Sequence, residues 1–155
     1  MTRKTKLSLA TAIAVLCAAA LGVAFSSAGT AGATLRFVAH DEPGNFALDD
    51  LGAKSPQGPD IGDVIAFTQT LTVGGKTAGS VHLGAIGVDH RRHLTQAMGT
   101  VVLRNGTIAV AGLVPQSHLF TLAILGGTGS YAGTHGTLTV STPAHTSTIT
   151  IALAP

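Results

Sequence analysis

The chain has 155 residues, one domain's worth, with an apolar fraction of 45% and only 10% charged residues. Low charge with high apolarity excludes a disordered chain. The formal net charge of +2 rests on Arg3, Lys4 and Lys6; without them the balance turns negative, which excludes the basic footprint of a nucleic-acid binder.

Those three cations precede an apolar or small stretch from Leu7 to Phe25, and Ala31-Gly32-Ala33 supplies a small-residue cleavage site. That order of parts predicts a Sec-type secretory signal peptide over residues 1–33 and a secreted, extracellular protein. A retained anchor competes, because the apolar stretch nearly reaches the length of a membrane span. The cleavage site and the Ala/Ser/Gly/Thr run after Phe25 favour the signal peptide. Cleavage after Ala33 leaves one domain, residues 34–155, with six positive and seven acidic side chains. It leaves no stable membrane anchor, and Cys17 departs with the leader, so thiol and disulfide chemistry are excluded.

In the remaining domain, Gly-rich turns separate short segments rich in Val, Ile, Thr, Leu and Phe. Leu35–Ala39 is the first expected strand, followed by a polar loop over residues 40–61 that contains Pro43, Pro56 and Pro59. The further strands are Asp63–Thr72, Thr77–Val88, Leu94–Leu103, Thr107–Val114, Leu119–Leu125, Thr134–Val140 and Thr146–Leu153. Ile65, Phe67 and Leu71 share one face of the second. Ile149, Ile151 and Leu153 alternate with Thr148, Thr150 and Ala152 in the last. No stretch carries a helical period. About eight such strands make an all-β barrel or sandwich, with closure favoured because it removes exposed edges. An eight-stranded barrel is either packed solid or wide enough for one small ligand.

Few residues invite chemistry. His90 and His93 have chelating spacing, but Arg91 and Arg92 between them repel a cation and no third ligand is evident. The reading is a solvated charged loop, with no metal and no cofactor. His82, between Val81 and Leu83, faces outward, and His118, His135 and His145 lie beside turns. Gly126-Gly127-Thr128-Gly129-Ser130 has the look of a phosphate cradle, yet a turn and strand follow it where a helix is required. Ser117-His118 lacks a third triad member. Asp41-Glu42 and Asp49-Asp50 are neighbours whose side chains point to opposite sides. Asp41 follows the first strand, where a barrel opens. A carboxylate desolvated against an apolar cavity there would act as acid or base; a surface aspartate is the plainer alternative.

Several segments resemble the allene oxide cyclase and dirigent superfamily. Gly62-Asp63-Val64-Ile65-Ala66-Phe67-Thr68-Gln69-Thr70-Leu71 resembles the cyclase strand Gly-Asp-x-Val-Pro-Phe-Thr-Asn-x-Leu, and Thr77-Ala78-Gly79 the start of its next strand. Gly126-Gly127-Thr128-Gly129-Ser130-Tyr131 with Gly133 and Gly136 resembles the superfamily's glycine signature. Phe37 through His40-Asp41 resembles the dirigent opening. The resemblance implies an eight-stranded antiparallel barrel with an apolar cavity, as a homotrimer. It implies a small hydrophobic ligand, an oxidised lipid or a phenolic. By this likeness Asp41 is the proton-handling residue and Gln69 a polar amide in the pocket. Phe67, Ile65, Leu71, Val81 and Leu83 line the wall. The cyclase glutamate near the first strand has no counterpart, since Val38-Ala39 occupies that region. Ala66 replaces the cyclase proline, and Ala132 and His135 replace the dirigent arginines.

Three functions compete. One is a cyclase- or isomerase-like enzyme. The second is a non-catalytic dirigent-type steering or hydrophobic-ligand-binding protein. The third is a structural barrel with a filled interior. The first two share a rigid apolar pocket that orients a reactive molecule and excludes water. A trimer would bury an outer apolar face, such as the side of Ile108 and Val110 if that side points out.

Overall fold

The computed structural model describes residues 32–50, 60–143 and 146–155. The residues before Gly32, which include most of the expected signal peptide, and His145 lie outside the described residues. Eight strands follow in order: β1 (Thr34–Asp49), β2 (Val64–Val73), β3 (Lys76–Asp89), β4 (Leu94–Leu103), β5 (Gly106–Pro115), β6 (Leu119–Gly127), β7 (Gly136–Ser141) and β8 (Ser147–Leu153). A single 3-10 turn, Gly129–Tyr131, stands between β6 and β7. Each strand pairs antiparallel with the next and β8 returns to β1, so the barrel closes. The expected all-β, eight-stranded antiparallel barrel is the fold observed.

Strand alternation places one set of side chains inside. Leu71, Val81, Val101, Ile108, Leu122, Leu138, Ile149 and Ile151 are wholly buried. They fill the half of the barrel nearest the β2–β3, β4–β5 and β6–β7 turns, which is therefore closed. Burial of each such side chain contributes about 1.5–3 kcal/mol against conformational entropy. Ile108 and Val110 point into this core, not outward, so they form no outer contact face.

The glycine signature seals the closed end. Gly129 has φ +59, and a Cβ there would lie 2.2 Å from the Asn105 carbonyl oxygen. Four amides in and after the run are committed. Thr128 N–H donates to Thr107 O, Ser130 to Asn105 O, Tyr131 to Thr128 O and Ala132 to Gly129 O. An anion would find no free donors in that set, and the turn is structural.

The first strand departs from expectation. β1 does not stop at Ala39 but runs to Asp49, with a register shift between Asp41 and Phe46. Pro43, which lacks an N–H, and Gly44, at φ +84, sit inside that bulge, where ladder bonding is already interrupted. Glu42 pins it: one carboxylate oxygen accepts from Thr70 Oγ1 on β2, the other from Asn45 Nδ2 at 2.6 Å.

Candidate functional site

β8 pairs with β1 only as far as Ala39 opposite Ser147. Past that point β1 continues with β2 alone, and the inner side of the sheet opens. Asp41 stands at this edge, exposed, and is directly opposite Gln69. Gln69 is 9% exposed and its Nε2 donates to Asp41 Oδ1 at 2.7 Å. A buried amide thus fixes one oxygen of an exposed carboxylate. The desolvated aspartate expected from sequence is not what stands here; position, set by Gln69, is its distinguishing feature.

Beyond the bulge, the pairs Phe46 opposite Phe67 and Leu48 opposite Ile65 continue the same inner side. Directly opposed residues bring their Cβ atoms within about 4.5–5.5 Å. Phe46 is 65% and Leu48 53% exposed, while Phe67 and Ile65 are half-buried against the core. From Ile65 the row passes across Ala85 and Ala97, both buried, to Gly112, against which Leu122 packs. The exposed Phe46 and Leu48 give this end an apolar mouth with a carboxylate and an amide at its inner edge.

Asp41, Gln69, Phe67 and Ile65 therefore come together; Leu83, opposite Phe67 one strand further on, is buried in the core. Leu71 and Val81 do not join them. Both are wholly buried in the closed half and offer no surface to a ligand. Phe46 and Leu48 were not anticipated, because Pro43 and Gly44 read as loop. The alternation Phe46-Ala47-Leu48-Asp49 was the available signal.

The rim is built from polar contacts. Asp63, buried, accepts the Asp60 N–H at 2.7 Å and so shapes the entry to β2. His90 Nδ1 lies 2.5 Å from Asp60 Oδ1, and the His90 and His93 rings meet edgewise at 6.0 Å. Among the described residues no group of three or more His, Cys, Asp or Glu is placed to hold a metal. His82 points outward, where its ring nitrogens lie 3.0 Å from Thr68 Oγ1 and 2.9 Å from Ser80 Oγ. It borders an open groove of about 440 Å³ whose lining takes in Phe46 and Phe67 together with Asn45, Thr68, Met98 and Thr100. Asp41 and Gln69 do not line that groove. Its lining carries no carboxylate, so the mouth is the better candidate.

Residues 45–153 match the family described as allene oxide cyclase barrel like domain. The chain belongs to this family. No curated protein matches it. Among solved structures it is similar to a pyocyanin demethylase, at 30% identity and TM-score 0.70, covering 78% of this chain and 99% of that one. It is also similar to a pterocarpan synthase dirigent protein (18% identity, TM-score 0.64, 77% and 91% covered). A nonspecific heme-binding cyclase of neoabyssomicin biosynthesis is a further likeness (19% identity, TM-score 0.60, 100% and 81% covered). At those last two identities the likeness is one of fold.

Proposed function

We propose that this family member binds a small hydrophobic molecule at the open end of its barrel and promotes a cyclase-like, intramolecular rearrangement of it. The carrying observation is the Asp41 carboxylate, held at 2.7 Å by the buried Gln69 amide beside the Phe46–Phe67 pair. The apolar wall holds the ligand in one conformer, which removes much of the entropic part of a barrier. Asp41 Oδ2 takes or returns a proton at the inner edge of the mouth. The cyclase and demethylase similarities support a small-molecule reading of this barrel.

A dirigent-type steering role is the second reading. It is favoured by the mouth having one carboxylate at its inner edge among otherwise apolar or amide side chains, which suits orientation without an acid–base pair. Asp41→Asn separates the two. A ligand captured from a metabolite extract, identified by native mass spectrometry without detergent, is incubated with each form. Lost conversion with retained binding supports the enzyme; conversion or coupling outcome unchanged by the substitution supports steering.

Secretion through the leader and homotrimer assembly belong to the same reading. The outer wall of β2–β5 favours self-association. Val64, Ile86, Gln96 and Leu113 align in one uncharged row, with Met98 exposed beside it. Light scattering on the purified domain tests this: a trimer is expected, and a monomer would remove it.

A further inference from the structure

Asp41 and Glu42 are adjacent carboxylates on one extended strand, so only one of them faces the inside of the barrel. Leu35, Phe37 and Ala39 are buried and share a face with Asp41, whereas Arg36, Val38, His40 and Glu42 take the outer side. Little in the strand itself enforces that choice. Beyond Ala39, β1 has lost β8 and pairs with β2 alone. From His40 to Asp49 every residue is exposed except Glu42, which is half-buried. A strand held by one neighbour and burying no apolar face is weakly fixed in register. A slip of one residue would turn Asp41 out and Glu42 in.

The bulge adds a second requirement. Asp41 stands opposite Gln69 and Phe46 opposite Phe67, so the four residues Glu42 to Asn45 occupy the space that β2 fills with Thr68 alone. In an unbroken strand Asp41 and Phe46 would face opposite sides; the bulge sets both opposite residues of one β2 face. Glu42 holds both ends of that bulge. One carboxylate oxygen accepts from Thr70 Oγ1 across the ladder, and the other accepts from Asn45 Nδ2, at 2.6 Å, just before pairing resumes. On the inner face Gln69 Nε2 donates to Asp41 at 2.7 Å. The distal part of β1 is thus fastened to β2 on each face, and only the outer fastening spans the bulge.

Resting on the reading of Asp41 as the proton-handling group, we propose that Glu42 is its positioning residue. By its hydrogen bonds to Thr70 and Asn45 it sets the register of β1, and so decides that Asp41, not Glu42, is turned inward against Gln69. Its task is to accept two hydrogen bonds; it carries no proton in the reaction.

Glu42→Ala, Glu42→Gln and Thr70→Val test this by NMR on the purified protein. The readouts are the nuclear Overhauser contacts between residues 41 and 69 and the hydrogen exchange of amides 40–49. Slow exchange at Leu122 and Ile151 shows that the closed half is folded. Glu42→Ala should lose the 41–69 contacts and speed exchange along the distal part of β1 about tenfold or more, as expected when bonds to a charged group are removed. Thr70→Val, which keeps the shape of the side chain and removes the donor, should move both readouts the same way. Glu42→Gln should keep the contacts, since its amide accepts from Thr70 and donates to the Asn45 oxygen. Contacts that survive in Glu42→Ala would overturn the proposal, as would their loss in Glu42→Gln. Ligand conversion tests the reading beneath it. Conversion unchanged in Glu42→Ala although the 41–69 contacts are gone would remove Asp41 as the proton carrier and leave the register role of Glu42 standing.

Discussion

Gln69 spends its amide on Asp41, and that contact explains how an exposed carboxylate on an interrupted strand keeps one orientation. Gln69→Leu should cost about 1 kcal/mol in denaturant unfolding. It should also abolish ligand conversion although Asp41 is still present; unchanged conversion would make Gln69 a mere core residue. Tyr131 gives a second test at this scale. Burial pushes its phenol above the ordinary 10.0. The unfolded phenol then ionises first, so this contribution to stability is complete below pH 10.0 and is lost as pH rises toward the folded value. The chain has one Tyr and no Trp, so phenolate absorbance reports this group alone. A folded midpoint above 10.0 is expected, and Tyr131→Phe should remove that part of the alkaline loss.

Among the elements, the strands with regular alternation were legible, because period-2 burial is what a half-buried sheet imposes on sequence. Observed β2, β3, β4, β5 and β8 begin and end within a residue or two of expectation. β1 was not legible past Ala39. Pro43 and Gly44 carry turn signals locally, and only the pairing with Phe67, Ala66, Ile65 and Val64 makes the following residues a strand. The glycine signature was legible as a turn but not in its reason. Gly129→Ala would strain a φ of +59 and drive its Cβ onto the Asn105 carbonyl, whereas Gly133, at φ +73, has nothing within 4 Å. Gly133→Ala should therefore cost about 1–2 kcal/mol of backbone strain, and Gly129→Ala clearly more. Thermal unfolding of the two variants checks the order.

Across the whole molecule, the barrel is two unlike halves. The closed half is a packed core, so Leu122→Ala should cost about 2–5 kcal/mol, measured by denaturant unfolding, without touching ligand selectivity. The open half carries the exposed Phe46 and Leu48, and Asp49, Asp60 and Asp89 together with Arg91 and Arg92. Neither property was legible from residues one at a time. Leu71 and Val81 share the face of Phe67 by alternation, but burial depends on depth along the barrel, which period alone does not encode. The acidic residues are scattered through 49 positions of chain, from Asp41 to Asp89. Antiparallel pairing brings Asp49, Asp60, Asp63 and Asp89 to one end, while Asp41 and Glu42 stand nearer the middle of β2.

Amide chemical-shift mapping with uncharged acridine tests most directly whether the open end is the binding site. The account predicts shifts at Asp41, Ile65 and Gln69 together with Phe46 and Phe67, with Leu71, Val81 and Ile151 unmoved. Shifts at Thr68, His82, Met98 and Thr100 that leave Asp41, Ile65 and Gln69 unmoved would place the ligand in the outer groove and contradict it.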